Sequence, residues 1–211
     1  MWWYNLWVAE KIRRLENDWI QIENWKVLNS SFWSPTIKNF FVAFPLDWEE
    51  KIKFKNMYYE LKKLSNWSFT LQNLKSPHVT LRFFWNIWFD KMYELIEKLF
   101  KNSFDDFLDG KEIIFDKLWN FNERVWFFES LNDDNLKEVY DSFHKITWLE
   151  LEDRSYHPHL TIARVKNIEK FPKKEFLDIV LNYKFKIKLN IIRFYAAFDN
   201  IFQVPICDFE K

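Results

Sequence analysis

A single glycine, Gly110, serves a chain of 211 residues. Glycine adopts positive φ without steric cost, so tight turns and helix C-caps ordinarily depend on it. Usage of about 7% would place roughly 15 glycines in this length. Tryptophan departs in the other direction, with 13 copies, and several stand where turn residues belong. SSFWSPT has the form of a loop with Trp33 in the glycine place, and KLWNFN around Trp119 follows the strand-like EIIF. This composition gives an expectation about the gene: UGA encodes glycine there and is rendered as tryptophan in this sequence. The alternative is a genuinely Trp-rich, AT-biased protein.

The length suits one domain with a core that needs no staples. Lys plus Arg and Asp plus Glu balance at 31 each, so the global charge of a nucleic-acid coat protein is absent. A local cationic pocket for a small or chain-end substrate is compatible with that balance. Cys207 is the only cysteine, which excludes an internal disulfide and a Cys-rich zinc site and points to a reducing compartment. No apolar run approaches the ~20 residues of a membrane helix. MWWYNLWVAEKIRR lacks both the basic start and the small-residue cleavage site of a signal peptide. A cytoplasmic protein with no membrane contact is the expectation.

Residues 1–35 read as an N-terminal extension of uncertain order, with a helix-compatible AEKIRRLEND, and residues 36–211 as the domain. IKNFFVAFPL is a short apolar strand run. DWEEKIKFKNMYYELKKL has helical spacing with Asp47 as its cap, and FDKMYELIEKLFKNSF is a second helix with Asp90 as cap. SPHVTLRFF alternates as a strand. EIIFDKLWNF and ERVWFFES read as two strands across a short turn. NDDNLKEVYDSFHKI, HLTIARV, KKEFLDIVLNY and KFKIKLNIIRFYAAF continue as helix, strand, helix and a final β run. The order is β-α-β-α-β-β-α-β-α-β, in two similar halves.

Each half contains Pro-His-aliphatic-Thr-aliphatic, as SPHVTLRFFW at 76–85 and YHPHLTIARV at 156–165. Residues i and i+2 of a strand share a face, so His78 projects with Thr80 and His159 with Thr161. An imidazole moves protons near neutral pH and a hydroxyl binds anionic oxygen. Two such pairs facing each other supply an acid and a base on opposite sides of one phosphodiester, without a metal. A lone strand histidine beside a threonine is ordinarily structural. The chain has four histidines and five threonines, and two His–Thr pairs at this spacing in the same context are not accidental.

PHVTLRFFWNI and DRSYHPHLTIAR resemble the two HxTx motifs of the two-histidine phosphoesterase superfamily. The resemblance is greatest to its RNA 2′,3′-cyclic phosphodiesterases, also called 2′–5′ RNA ligases. It runs from Ile37 to the C-terminus, with FFVAFPL similar to the family's opening strand and LWNFNERVWF to its central hairpin. It implies an α+β fold of two pseudo-symmetric lobes of antiparallel sheet, with outer helices and a central cleft. It implies hydrolysis of RNA 2′,3′-cyclic phosphate ends to 2′-phosphomonoesters, with His78 as proton donor to the leaving 3′ oxygen and His159 as proton acceptor from water. Thr80 and Thr161 would hold the non-bridging oxygens. The same acid–base pair can join a cyclic phosphate to a 5′-hydroxyl. Proton-transfer reasoning alone does not say which histidine is the acid. No cofactor, metal or protein partner is implied, and the chain is expected to be a monomer acting on RNA 3′ ends.

Other residues have two readings each. Strict alternation puts Arg164 opposite Thr161, so it reaches the cleft only if the strand ends or bulges; salt bridge and phosphate contact both stand. Arg82 shares the His78 face and either meets phosphate or is solvated. Phe84 lies further along that face, for base stacking or for the core. His157 is read as non-catalytic and His144 as surface or interhelical. Rival functions are a phosphodiesterase of small cyclic nucleotides, 2′–5′ oligonucleotides or ADP-ribose cyclic phosphate, and a non-catalytic RNA-end-binding module.

Relatives commonly carry glycine where this chain has Trp85, Trp119 and Trp148. If UGA is recoded, all 13 tryptophan codons of the gene are UGA; a scatter of UGG codons removes the idea.

Overall fold

A computed structural model of the chain describes residues 37–65, 67–85, 89–102, 110–130, 134–147, 155–198 and 202–210, with 22–23, 26–27, 104 and 108. Strands β1 (Ile22–Glu23) and β2 (Lys26–Val27) form a small antiparallel ladder. The expectation for residues 1–35, including AEKIRRLEND, otherwise lies outside the described residues.

Strand β3 (Ile37–Pro45) sets the pattern of the domain. Its Phe40, Val42 and Phe44 enter the main core, while Phe41 and Ala43 join Tyr195 and Phe83 in a separate cluster on the opposite face. A strand apolar on both faces is covered on both. Helix α1 (Trp48–Leu64) follows, capped as expected: the Asp47 carboxylate accepts the Glu50 N–H at 2.9 Å, a contact of about 1 kcal/mol. Phe54, Met57 and Leu61 form its buried stripe.

The remaining elements are β4 (Phe69–Leu71), β5 (His78–Trp85), α2 (Phe89–Lys101), β6 (Glu112–Phe115), β7 (Lys117–Phe121), β8 (Val125–Glu129), α3 (Asp134–Thr147), β9 (His159–Val165), α4 (Lys173–Val180), β10 (Phe185–Lys188), β11 (Ile191–Phe198) and β12 (Phe202–Glu210). The fold is α+β with antiparallel pairing throughout. The large sheet runs β12-β11-β3-β5-β9-β8-β7, with β4 also on β9, and β6 pairs with β10 in a second sheet. Helix α1 packs on α4 and β10, and α2 on α3. Two lobes were expected; the structure joins both halves into one sheet, nipped where β5 and β9 share the single register pair Val79↔Leu160.

Several expectations change. EIIFDKLWNF is two strands, because β6 leaves the sheet at Asp116 to pair with β10 and bury Ile113 and Phe115. The final β run also divides, at Leu189-Asn190, into strands of different sheets. Strand β4 is too short to signal itself. Pro205 hides β12, an edge strand that accommodates it beside a bulge at Phe194/Tyr195. Helix α2 begins at Phe89, so Asp90 lies in its first turn and does not cap it. His144 is buried against Tyr140 rather than at the surface.

Positive φ occurs at Gly110 (73°), Trp67 (63°), Asn122 (49°) and Glu123 (57°). The last two turn the β7–β8 hairpin. Trp119 lies within β7 opposite Phe127, so its backbone does not require glycine. Trp33 and Trp148 lie outside the described residues, as does the side chain of Trp85. Trp126 is 4% exposed and packs on Phe171 and Phe176. Trp67 is different. An L side chain in the left-handed region costs roughly 1–2 kcal/mol, and its exposed ring gains only the Lys170 cation, a contact of about 0.5–1 kcal/mol. Trp67→Gly is therefore expected to stabilise the fold by up to about 1 kcal/mol in urea denaturation, and a loss of stability would contradict the backbone argument.

Candidate active site

The single β5–β9 register pair decides the site. Val79 and Leu160 both enter the core, so their neighbours His78, Thr80, His159 and Thr161 emerge on the other face. The antiparallel sense sets His78 toward Thr161 and Thr80 toward His159. The two histidines are then diagonal neighbours, a relation that sets residues about 7–8 Å apart, with Cβ atoms somewhat closer.

Both imidazoles are held in the same way. His78 Nδ1 donates to the Ser76 carbonyl at 2.6 Å, and His159 Nδ1 donates to the His157 carbonyl at 2.8 Å. A carbonyl only accepts, so Nδ1 carries the proton of the neutral ring and Nε2 is left for proton exchange. The prolines explain the arrangement. Pro77 and Pro158 hold the residue before them extended and present its carbonyl to the ring two positions on.

Aromatic rings flank each histidine. His78 lies 4.8 Å from Phe41 and 5.5 Å from Tyr195, ring centre to ring centre. His159 lies 5.0 Å from Phe127 and 5.5 Å from Phe121. Phe41 stacks on both Phe83 and Tyr195, and burial pushes the Tyr195 phenol up to about 12, so it stays neutral. This apolar lining was not legible in the motifs, because the rings come from β3, β7, β8 and β11.

Matching bulges reset the faces beyond each motif. Across β3, Val42 pairs with Arg82 and Ala43 with Thr80, leaving Leu81 as the extra residue of β5. Across β8, Trp126 pairs with Ala163 and Phe127 with Thr161, leaving Ile162 as the extra residue of β9. Leu81 and Ile162 both turn to the core, and alternation restarts one residue later. Arg164 thereby comes round to the Thr161 face, and its charge bears on both histidines. The same shift turns Arg82 away from the His78 face, since its partner Val42 is a core residue, yet Arg82 still lines the cavity beside Thr80 and His159. Phe84 is 6% exposed in the main core, against Phe143, so it is not a stacking surface. Phe83 takes the cleft position expected of Phe84. Beyond the nip β5 and β9 part, and a cavity of about 550 Å³ opens between them, lined by Thr80, Arg82, Phe83, Phe121, Tyr156 and His159 among others. The Tyr156 hydroxyl donates to the Thr80 carbonyl at 3.3 Å and its ring stacks on Tyr140, tying the second motif to the first strand.

Burial, reinforced by the charges of His159 and Arg164, lowers His78 from 6.5 to about 4, and the Ser76 bond offsets only part of it. Burial likewise lowers His159, with His157 and Arg164 adding to it. His157 and His159 do not form a chelating pair: their rings are 6.2 Å apart, and His157 Nε2 meets Glu129 at 3.1 Å while His159 Nδ1 meets backbone. Among the described residues no group of three or more His, Cys, Asp and Glu side chains gathers as a metal site. No described helix is long and apolar enough to cross a membrane.

At pH 7 a group titrating near 4 is protonated in about one molecule in a thousand. Between pH 6.5 and about 4 the unfolded chain binds more protons at His78 than the folded one, so acidification through that window costs stability. A bound anion favours the imidazolium. The His78 ring is expected to titrate near 4 by NMR in the unliganded protein and to shift upward when inorganic phosphate is added.

No family model matches the chain, and neither does any curated protein. Solved structures do. Escherichia coli LigT complexed with phosphate aligns at 14% identity and TM-score 0.57, over 82% of this chain and 96% of that one. The same protein complexed with 3′-AMP gives 14% and 0.56 over the same shares. TT0787 of Thermus thermophilus gives 12% and 0.59, over 82% and 97%. The chain has the fold of the two-histidine, LigT-like phosphoesterases.

Proposed function

We propose that this protein is a phosphodiesterase that opens RNA 2′,3′-cyclic phosphate ends to 2′-phosphomonoesters by acid–base catalysis between His78 and His159. The observation that carries the reading is the doubled geometry: two imidazoles on adjacent strands, each with Nδ1 bound to the carbonyl two residues upstream and each paired with a strand threonine. His159 Nε2 takes a proton from water as its oxygen attacks phosphorus. The P–O3′ bond breaks, and His78 Nε2 delivers the proton to the leaving oxygen. Thr80 and Thr161 hydroxyls donate to the non-bridging oxygens, and Arg164 offsets their charge. A 5′-hydroxyl in place of water gives 2′–5′ ligation. The adjoining cavity has the size and aromatic lining for a nucleoside, which supports a nucleotide-type substrate. That LigT has been crystallised with phosphate and with 3′-AMP agrees with this class.

One observation favours a second assignment of the same two groups. His78 lowered to about 4 is a neutral base in the unliganded protein, which would make His159 the acid. The assignment above requires the substrate's phosphate to bring the proton onto His78. A substrate with sulfur in place of the 3′ bridging oxygen separates the two, because a thiolate leaves without protonation. His78→Ala retaining turnover on that substrate, with His159→Ala inactive, supports His78 as acid; the converse reverses the roles.

An oligoribonucleotide ending in 2′,3′-cyclic phosphate, incubated with EDTA present, is expected to yield a 2′-phosphate by phosphorus NMR. His78→Ala and His159→Ala should each lower kcat by about 10²–10⁴. Turnover of small cyclic nucleotides but not of RNA ends would move the substrate, and binding without turnover would leave an RNA-end-binding module.

A further inference from the structure

The two histidines share one holding bond but not one support for it. Ser76, whose carbonyl holds His78, is 4% exposed; its N–H donates to the Asn73 carbonyl, and the adjacent Pro77 carbonyl accepts the Leu46 N–H at 3.3 Å. That first carbonyl is fixed by burial and backbone. His157, whose carbonyl holds His159, has a side chain 44% exposed and stands in a non-strand segment before β9. What holds it is a side-chain contact: Nε2 to Glu129 Oε2 at 3.1 Å. Glu129 is 8% exposed, is the register partner of His159 itself, and has its other oxygen taken by Lys117 Nζ at 2.6 Å. The carboxylate is therefore anchored on β8 directly beside the histidine whose geometry depends on it.

We propose that Glu129 and His157 are positioning residues for His159: the Glu129 carboxylate fixes His157 through its side chain, and His157 in turn presents the backbone carbonyl that holds His159 Nδ1–H. His157 thus acts through its main chain, and its imidazole serves as the tether. Phe121 and Phe127 lie against one side of that imidazole, at 5.6 and 5.7 Å, and leave part of it open to solvent. Removing the tether loosens the carbonyl, so His159 samples the Nε2–H tautomer and a rotated ring, neither of which accepts a proton from water at the right place. The first motif needs no counterpart, because Ser76 is buried. This inference rests on His159 being one of the two proton-transfer groups.

The test uses His157→Ala, a change at an exposed side chain that leaves the core intact, and His157→Gln, whose amide can still donate to Glu129. Nitrogen-15 NMR of the His159 ring reads the tautomer without any substrate, so it reports on the tether even where no turnover is found. The expected result in His157→Ala is a several-fold rise of the Nε2–H form of His159, with His78 unchanged. On the cyclic-phosphate oligonucleotide, kcat falls roughly 10-fold with KM within about two-fold. His157→Gln recovers most of both. Glu129→Gln, which keeps an acceptor and drops the charge, gives an intermediate tautomer shift. A His159 ring that remains wholly Nδ1–H in His157→Ala overturns the proposal.

Discussion

The β5–β9 ladder at Val79↔Leu160 is the constraint on which the candidate site depends. Two antiparallel strands that share one core-facing pair must place the residues flanking that pair on the opposite face, across from one another. Everything useful follows: His78 and His159 become diagonal neighbours, each threonine faces the other strand's histidine, and divergence beyond the pair opens the cavity. A longer ladder would close that space with backbone hydrogen bonds. A slip of either strand by one residue would send its own imidazole into the core.

Holding an imidazole there has an electrostatic cost, and the protein manages it unevenly. Two mutually stacked or tilted rings pack against one side of each histidine and take part of it out of water, which disfavours the imidazolium. The carbonyl bonds to Nδ1 return part of that loss and choose the tautomer. Arg164 works against protonation of both histidines. In the proposed function a phosphate between the two strands would reverse that balance, by bringing a negative charge to the imidazoles and Arg164.

Much of this was legible in the sequence where the information is local. Asp47 as a cap, the buried stripe of α1, the apolar β3, and the pairing of each histidine with its threonine all depend on spacings of two to four residues. Arg82, Phe84 and Arg164 mark where local reading ends. Strict alternation put Arg82 and Phe84 on the His78 face and Arg164 away from Thr161. One extra residue in each strand, Leu81 and Ile162, reverses all three. A bulge is set by the partner strand's register, and the aliphatic residues that form these two carry no turn signature. The splitting of EIIFDKLWNF and the existence of β12 were hidden for the same reason: strand pairing over long separations decides them.

The sequence by itself determined the element types, the two Pro-His-x-Thr strands and the residue types available for proton transfer, because backbone propensity and period-two alternation are properties of a short segment. Its shortage of glycine also showed at once, and Trp67 at φ 63° is where that shortage meets a backbone that asks for glycine. Tertiary structure decided which rings pack against each histidine, which arginine shares the Thr161 face, and that the His157 side chain meets Glu129. Those relations join β3, β8, β9 and β11 across as many as 154 positions, from Phe41 to Tyr195. Only the assembled sheet brings them within contact distance.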